Sequence, residues 1–313
     1  MIHFLRSLKG KPSALLIVIL ALLLTACAGI PIGSSSNSSN NSNTSSSITI
    51  TVGGKADNEG RLLTKLYVLM LRHAGFNAVE HAAPGTDSVV FKAITSGQID
   101  LYPEFTGTGL TKLGLNSTGN TQQDYLQIRQ GYEAKYQITW LEPSPLNDTY
   151  GVCSTQTRAS NLGATKISDL TTKTSKLTIA TSADGVHDGI NVMKAFYGFT
   201  FKKVVTYNQE ILTFPAVNTG NQDLNICHTT SADIARYKFI LLQDDKNAFP
   251  VNNPAPVVRD SMLKKAPEIA TVLDKLAPYL TTQISQQLQS EVVNHGKSVT
   301  EAATQFLQSK RLL

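Results

Sequence analysis

Beyond residue 47, short runs rich in β-branched and aromatic residues alternate with longer stretches whose apolar positions recur every three or four residues. A period near two that gives way repeatedly to one near 3.6 predicts strands and helices in turn, the pattern of a parallel sheet covered by helices. Ile48 to Val52 reads as the first strand. Asp57 or Asn58 caps a helix to about Ala74, with Leu62, Leu63, Leu66, Val68 and Leu69 inward and Gly75 as its stop. Asn77 to Glu80 is a second strand, Asp87 to Thr95 a second helix, and Ile99 to Tyr102 a third strand that Pro103 ends. A helix from about Gln122 to Tyr136 and a strand at Ile138 to Trp140 complete this series.

Glu142-Pro143-Ser144-Pro145 marks a crossover, and the alternation then begins again. Strands are expected at Gly151 to Ser154, Leu177 to Ala180, Val204 to Tyr207, Leu224 to Cys227 and Phe239 to Leu242, with a helix from Asp184 to Tyr197 ended by Gly198. Phe249-Pro250 turns the chain once more, and Pro256 to Val258 reads as a returning strand. The remainder is helical: about Pro267 to Tyr279, Gln283 to His295 and Ser298 to Leu312. Periodicity supports an α/β fold; it does not by itself arrange the two series.

The N-terminus carries a different signal. Arg6, Lys9 and Lys11 precede an apolar run of eleven residues, Ala14 to Leu24. At about 1.5 Å per residue such a run cannot cross roughly 30 Å of hydrocarbon, so residues 1–26 read as a signal peptide rather than a membrane span. Leu24-Thr25-Ala26-Cys27 resembles a bacterial lipobox, which implies acylation of Cys27; an ordinary cleaved signal with an incidental Cys is the alternative. Gly33 to Ser47 contains only Gly, Ser, Asn and Thr and has nothing to bury, so residues 27–47 are expected to form a disordered tether. No later segment has eighteen consecutive apolar residues, and a transport role would need separate membrane subunits.

Charge and motifs exclude several function classes. The formal charge of +5 falls to about +2 once the three signal cations are removed, and no basic run is interleaved with aromatics, so nucleic acid is not an expected partner. No His-Glu-x-x-His, Gly-x-Ser-x-Gly, Walker loop or Cys-x-x-Cys occurs, and the six scattered histidines suggest no metal site. Neither a catalytic residue nor a cofactor is expected. His187 and Asp188 are neighbours but have no nucleophile to partner. Cys153 and Cys227 remain in an exported chain and could pair or stay free.

Ile99 to Leu110, Ile-Asp-Leu-Tyr-Pro-Glu-Phe-Thr-Gly-Thr-Gly-Leu, is the most informative stretch. It reads as a buried strand end, then a Thr-Gly-Thr-Gly turn that opens a helix, where free backbone N–H groups, hydroxyls and a ring would face a cleft. It resembles the solute-binding proteins of ABC importers for quaternary ammonium osmoprotectants, of the glycine betaine, choline and carnitine type. The likeness extends over Ile48 to Leu313 through Val52 to Lys55, Trp140 to Tyr150, Asp184-Gly185, Tyr197 to Phe199, Asp244 to Lys246, Phe249-Pro250 and Ala255 to Arg259.

That resemblance implies a two-lobed, periplasmic-binding-protein-like fold (type II, Venus-flytrap) with two hinge crossings. Lobe 1 would be residues 48–148 plus 253–313, and lobe 2 residues 149–252. It implies that the strands of Cys153 and Cys227 are antiparallel neighbours within the second lobe, a setting for a disulfide. It implies a site of four ring positions, here Phe105, Tyr150, His228 and Asn252, with Lys55 and Thr108 toward a ligand carboxylate and Asp148 toward the ammonium. Aromatic faces and carboxylates suit a cation without N–H donors. His228 stands where a Tyr is expected, Asn252 ends a Phe-Pro-Pro-Tyr-like pattern, and Ser182 replaces an expected Arg, so the carboxylate clamp lacks its bidentate donor. With a cationic ligand His228 is expected to be neutral. Permease and ATPase subunits, a membrane reached through the lipid anchor, and a monomeric receptor complete the implied setting. Alternatives are the same architecture around another small polar solute, a non-transport sensor lipoprotein, or a hydrolase.

Overall fold

The computed structural model describes residues 48–81 and 85–313; the expected signal peptide, Cys27 and the tether lie outside them. The first series forms β1 (Thr49–Val52), α1 (Asn58–His73), β2 (Asn77–Glu80), α2 (Asp87–Thr95), β3 (Leu101–Phe105), α3 (Thr106–Leu113), α4 (Thr121–Tyr136) and β4 (Ile138–Trp140). The second forms β5 (Tyr150–Thr155), α5 (Gln156–Asn161), β6 (Thr178–Ser182), α6 (Ala183–Gly185), α7 (Asn191–Tyr197), β7 (Lys203–Tyr207), α8 (Thr213–Asn218), β8 (Leu224–His228), α9 (Ala232–Arg236) and β9 (Phe239–Leu241). The chain then returns through β10 (Pro254–Arg259) to α10 (Asp260–Lys265), α11 (Glu268–Asp274), α12 (Thr282–Val293) and α13 (Val299–Ser309). Among the described residues no helix is long and apolar enough to cross a membrane.

The strands make two five-stranded sheets, β2-β1-β3-β10-β4 and β7-β6-β8-β5-β9. Each is a parallel trio followed by an antiparallel strand and an outer strand. In both sheets the antiparallel fourth strand is the one that has just crossed over: β5 enters the second lobe from the first, and β10 returns. This repeated topology sets the start of each crossing strand beside the C-terminal end of a parallel strand. Tyr150 pairs with His228, and Pro254 with Phe105. Strand C-terminal ends are where open α/β sheets bind ligands.

Local chemistry explains most elements. Asp57 Oδ1 accepts the Gly60 N–H at 2.7 Å to cap α1, whose end is marked by Gly75 in the left-handed region at φ +90°. α3 lies close against the sheet because Gly109 has no side chain: a Cβ there would come within 2.7 Å of the Trp140 ring. Apolar layers cover both faces of each sheet, with Trp140, Tyr102 and Tyr132 among the largest buried side chains of lobe 1.

Two expectations need correction. Pro103 does not end β3, which runs on to Phe105. Pro103 faces Pro256 across the β3–β10 ladder, and the Pro256 carbonyl accepts from Leu141 N–H on the other side. The two prolines therefore form a non-hydrogen-bonded pair, and Pro103's missing donor is on the side that β1 has already left after Leu101. The helix expected over Asp184 to Tyr197 follows a continuous path but passes through a π-helical turn at Val186–Ile190.

Cys153 and Cys227, both fully buried, are joined by a disulfide with Cα atoms 6.4 Å apart. Cys227 is opposite Gly151 on the β5–β8 ladder, so Cys153, two residues on, shares its face. The bridge spans 74 residues of sequence and fixes the register one residue inside the Tyr150–His228 pair. Replacing both cysteines by Ala is expected to lower the unfolding free energy by roughly 2–4 kcal/mol. Urea denaturation checks this, and an unchanged midpoint would contradict it.

Candidate functional site

Between the two sheets lies a cleft in two connected parts of about 960 and 550 Å3 that share Asp87, Thr108, Asp148, His228 and Asn252. Lys55 and Phe105 line the larger part and Tyr150 the smaller. The structure thus brings all seven expected site residues to one place. Their chemical situations differ from the expectation in instructive ways.

Lys55 follows β1 and is 8 % exposed. Its ammonium lies 2.8 Å from Asp87 Oδ1 and 2.9 Å from Glu104 Oε1, and 4.6 Å from the centre of the Phe105 ring. Burial alone would lower its pKa, but Glu104 and Asp87 more than offset this and hold it above the ordinary lysine value. Glu104 is fully buried. Its Oε2 accepts from Tyr102 Oη at 2.7 Å and its Oε1 from the Phe105 N–H at 2.8 Å. A buried carboxylate survives only when paired and hydrogen-bonded in this way.

The second lobe repeats the arrangement. His228 stacks on Tyr150 with ring centres 4.3 Å apart and planes inclined by 37°. Its Nδ1 meets Glu210 Oε2, and its backbone N–H donates to Glu210 Oε1 at 3.0 Å. Burial pulls the imidazole pKa down, yet the hydrogen bond and charge of Glu210, with Asp148 and Glu59, raise it to about 9. Glu210 thus favours the protonated imidazole, whereas the neutral form is expected only beside a bound cationic ligand.

Asn252 departs most from a ring position. Its Oδ1 accepts from the Gly107 N–H at 2.8 Å and its Nδ2 donates to the Asp148 carbonyl at 2.9 Å, tying both crossings to the first turn of α3. The Thr106 N–H is likewise taken by the Asn253 carbonyl at 3.0 Å, so two of the amide donors expected to be free at this turn, those of Thr106 and Gly107, are occupied. The Thr108 hydroxyl makes no hydrogen bond among the described residues and faces the shared wall of the cleft. Ser182 lines neither part; its Oγ caps α6 through the Gly185 N–H.

Asp148 accepts from Thr230 Oγ1 at 2.9 Å and is held above the usual carboxylate range by burial, against the opposing pull of charged His228. Glu59, in the first turn of α1, is 6 % exposed and lines the cleft, bound by the Ser285 hydroxyl. Burial and then the charge of Asp148 push it well above the ordinary value. α12 reaches from here to the other lobe, where Gln286 and Gln289 donate to the Thr229 and Thr230 carbonyls at 2.6 and 2.9 Å. Sequence reasoning missed Glu59, Asp87, Glu104 and Glu210 as members of the site. Glu104 had a signal: a carboxylate in an apolar strand beside Phe105 requires a cation.

A profile of the substrate binding domain of ABC-type glycine betaine transport systems matches residues 48–309. The chain belongs to that family. This substrate-binding protein is similar to the glycine betaine-binding protein YehZ of Escherichia coli K12, 28 % identical over 275 residues that cover 83 % of this chain and 90 % of that one. It is also similar to the carnitine transport binding protein OpuCC of Listeria monocytogenes, 26 % identical over 266 residues, 83 % and 86 % of the two chains. Among solved structures, apo YehZ from Escherichia coli superposes with a TM-score of 0.76 at 27 % identity, covering 85 % of this chain and 99 % of that one. A glycine betaine/carnitine/choline ABC transporter structure gives 0.78 at 24 % identity, with coverage of 84 % and 99 %, and shows the same two-lobed fold. The protein is thus the extracytoplasmic substrate-binding part of an ABC transport system.

The His228–Glu210 pair has a defined pH signature. A raised imidazole pKa contributes stability that is fully present below about pH 6.5, the unfolded value, and is lost as pH rises through about 9. NMR titration of the His228 ring is expected to give a midpoint near 9, which Glu210→Gln returns toward the ordinary value. A wild-type midpoint near the unfolded value would contradict the pairing.

Proposed function

We propose that the protein captures a quaternary ammonium compound between its lobes and delivers it to membrane permease subunits driven by an ATPase. The observation that carries this reading is the cleft itself. Phe105 and Tyr150 line the cleft from opposite lobes, and Asp57, Glu59 and Asp148 line it with no lysine or arginine ion-pair partner among the described residues. A permanent cation without N–H donors is held by ring faces and oxygen atoms of this kind. The relatives named for glycine betaine and carnitine support the same ligand class.

Residues 48–148 with 253–313 act as one moving unit and 149–252 as the other, turning about the two crossings. A ligand that touches both lobes only when they are closed supplies the differential affinity that closure requires. Lys55, Phe105 and Thr108 meet the ligand from lobe 1, Asp148 and Tyr150 at the first crossing, His228 from lobe 2 and Asn252 at the second. Acylated Cys27 and the polar tether hold the monomeric receptor at the membrane surface, where it binds without catalysing a reaction. Because a bound cation favours the ionised forms of Glu59 and Asp148, affinity rises as pH rises through their elevated pKa values.

Thermal-shift screening of choline, glycine betaine and carnitine tests the assignment, since a ligand of the folded state alone raises its apparent stability. At least one is expected to raise the melting temperature. Tyr150→Ala is expected to weaken that ligand roughly two- to thirtyfold, from a contact of about 0.5–2 kcal/mol. No shift with any of the three, or an unchanged affinity in the variant, would contradict the assignment.

A further inference from the structure

Glu59 and Asp148, two carboxylates that line the cleft, are joined by one chain of hydrogen bonds that crosses between the lobes. Glu59 Oε1 accepts from the Ser285 hydroxyl and, at 3.4 Å, from Gln289 Nε2. Gln289 Nε2 also donates to Ser285 Oγ at 3.2 Å and to the Thr230 carbonyl at 2.9 Å. A carbonyl can only accept, so it is the amide nitrogen of Gln289 that faces Thr230. The Thr230 hydroxyl in turn donates to Asp148 Oδ1 at 2.9 Å. The chain therefore begins on α1 and α12 of lobe 1, passes through Thr230 of lobe 2 and ends at the first crossing.

Its parts are placed by the fold. Ser285, Gln286 and Gln289 recur at helix spacing and share a face of α12, and α9 of lobe 2 packs on that helix. Gln286 Nε2 donates to the Thr229 carbonyl at 2.6 Å, so α12 takes two successive carbonyls that follow β8. Ser285 and Thr230 are 4 % and 3 % exposed, which leaves water little access to these bonds. At each end one carboxylate oxygen is held and the other is not: Glu59 Oε2 and Asp148 Oδ2 accept no hydrogen bond among the described residues. A satisfied buried network of this kind fixes the direction of its members more firmly than isolated bonds do.

We propose that Ser285 and Gln289 are positioning residues for ligand capture: they aim Glu59 at the ammonium group, and Gln289 braces that carboxylate of lobe 1 against the backbone of lobe 2. The inference rests on the quaternary ammonium reading and extends it to a helix that acts through Glu59. Donors directed at a carboxylate favour its ionised form, the form that a cation requires.

Calorimetric titration of the full chain tests it, with whichever of choline, glycine betaine and carnitine raises the melting temperature most. Gln289→Met keeps the length of the side chain and removes its amide. It is expected to weaken that ligand about fivefold or more in the wild-type background and by less than about twofold in a Glu59→Gln background, and Ser285→Ala is expected to do the same. A direct ligand contact or a general structural role would give the same loss in both backgrounds; that result, or an unchanged affinity in both single variants, overturns the inference and leaves the quaternary ammonium reading intact. The pH profile is a second readout, which does not need the Glu59→Gln chain. Asp57, Asp148 and His228 also act on Glu59 and remain in Ser285→Ala, so loss of the Ser285 donor is expected to move the rise of affinity to higher pH. An unmoved profile overturns the inference. Absence of heat and of thermal shift with all three amines overturns the quaternary ammonium reading and the inference together.

Discussion

The Lys55 ammonium, laid on the Phe105 ring and clamped by Asp87 and Glu104, determines the character of the cleft. It lets a fully buried carboxylate exist at the end of β3, and that carboxylate fixes the Phe105 backbone and the Tyr102 hydroxyl. Without the cation, Glu104 would be an uncompensated charge in the core, at a cost of several kcal/mol. One consequence of this order is that the Lys55 ammonium lines the cleft already paired with carboxylates. His228 with Glu210 is the same solution in the other lobe, on the face of Tyr150.

The repeated sheet topology explains why these two units confront each other. Each lobe inserts the strand arriving from the other as an antiparallel neighbour of a parallel trio. The crossings therefore begin beside the strand ends that carry Phe105 and His228. Asn147, Asp148 and Asn252 knit the crossings together: Asn252 N–H donates to Asn147 Oδ1 at 2.7 Å, and Asp148 N–H to the Asn252 carbonyl at 3.0 Å. Groups that line the cleft are thus one or two residues from the crossings between the lobes. α12 adds a third connection through Gln286 and Gln289, next to His228.

Much of this was legible in the chain, and the failures have physical causes. Strands such as Asn77–Glu80 and helices such as Asp87–Thr95 follow directly from local pattern. Pro103 misled because a proline is harmless where its absent N–H faces no neighbouring strand, and only the sheet shows that. α5, α8, α9 and α10 are five or six residues long, too short for periodicity to announce them. The ring and lysine positions could be carried by resemblance. Asp87 and Glu210 could not, because they pair through space across separations that no local pattern records. The Glu210 partner of His228 was missed for the same reason, since it lies 18 residues away in sequence.

The central claim is that a methylated cation sits between rings contributed by opposite lobes. It is tested most directly by intermolecular nuclear Overhauser effects between the N-methyl protons of bound choline and the ring protons of Phe105 and Tyr150. The account predicts contacts to both rings in the same complex. Methyl contacts confined to one lobe, or to neither ring, would contradict it.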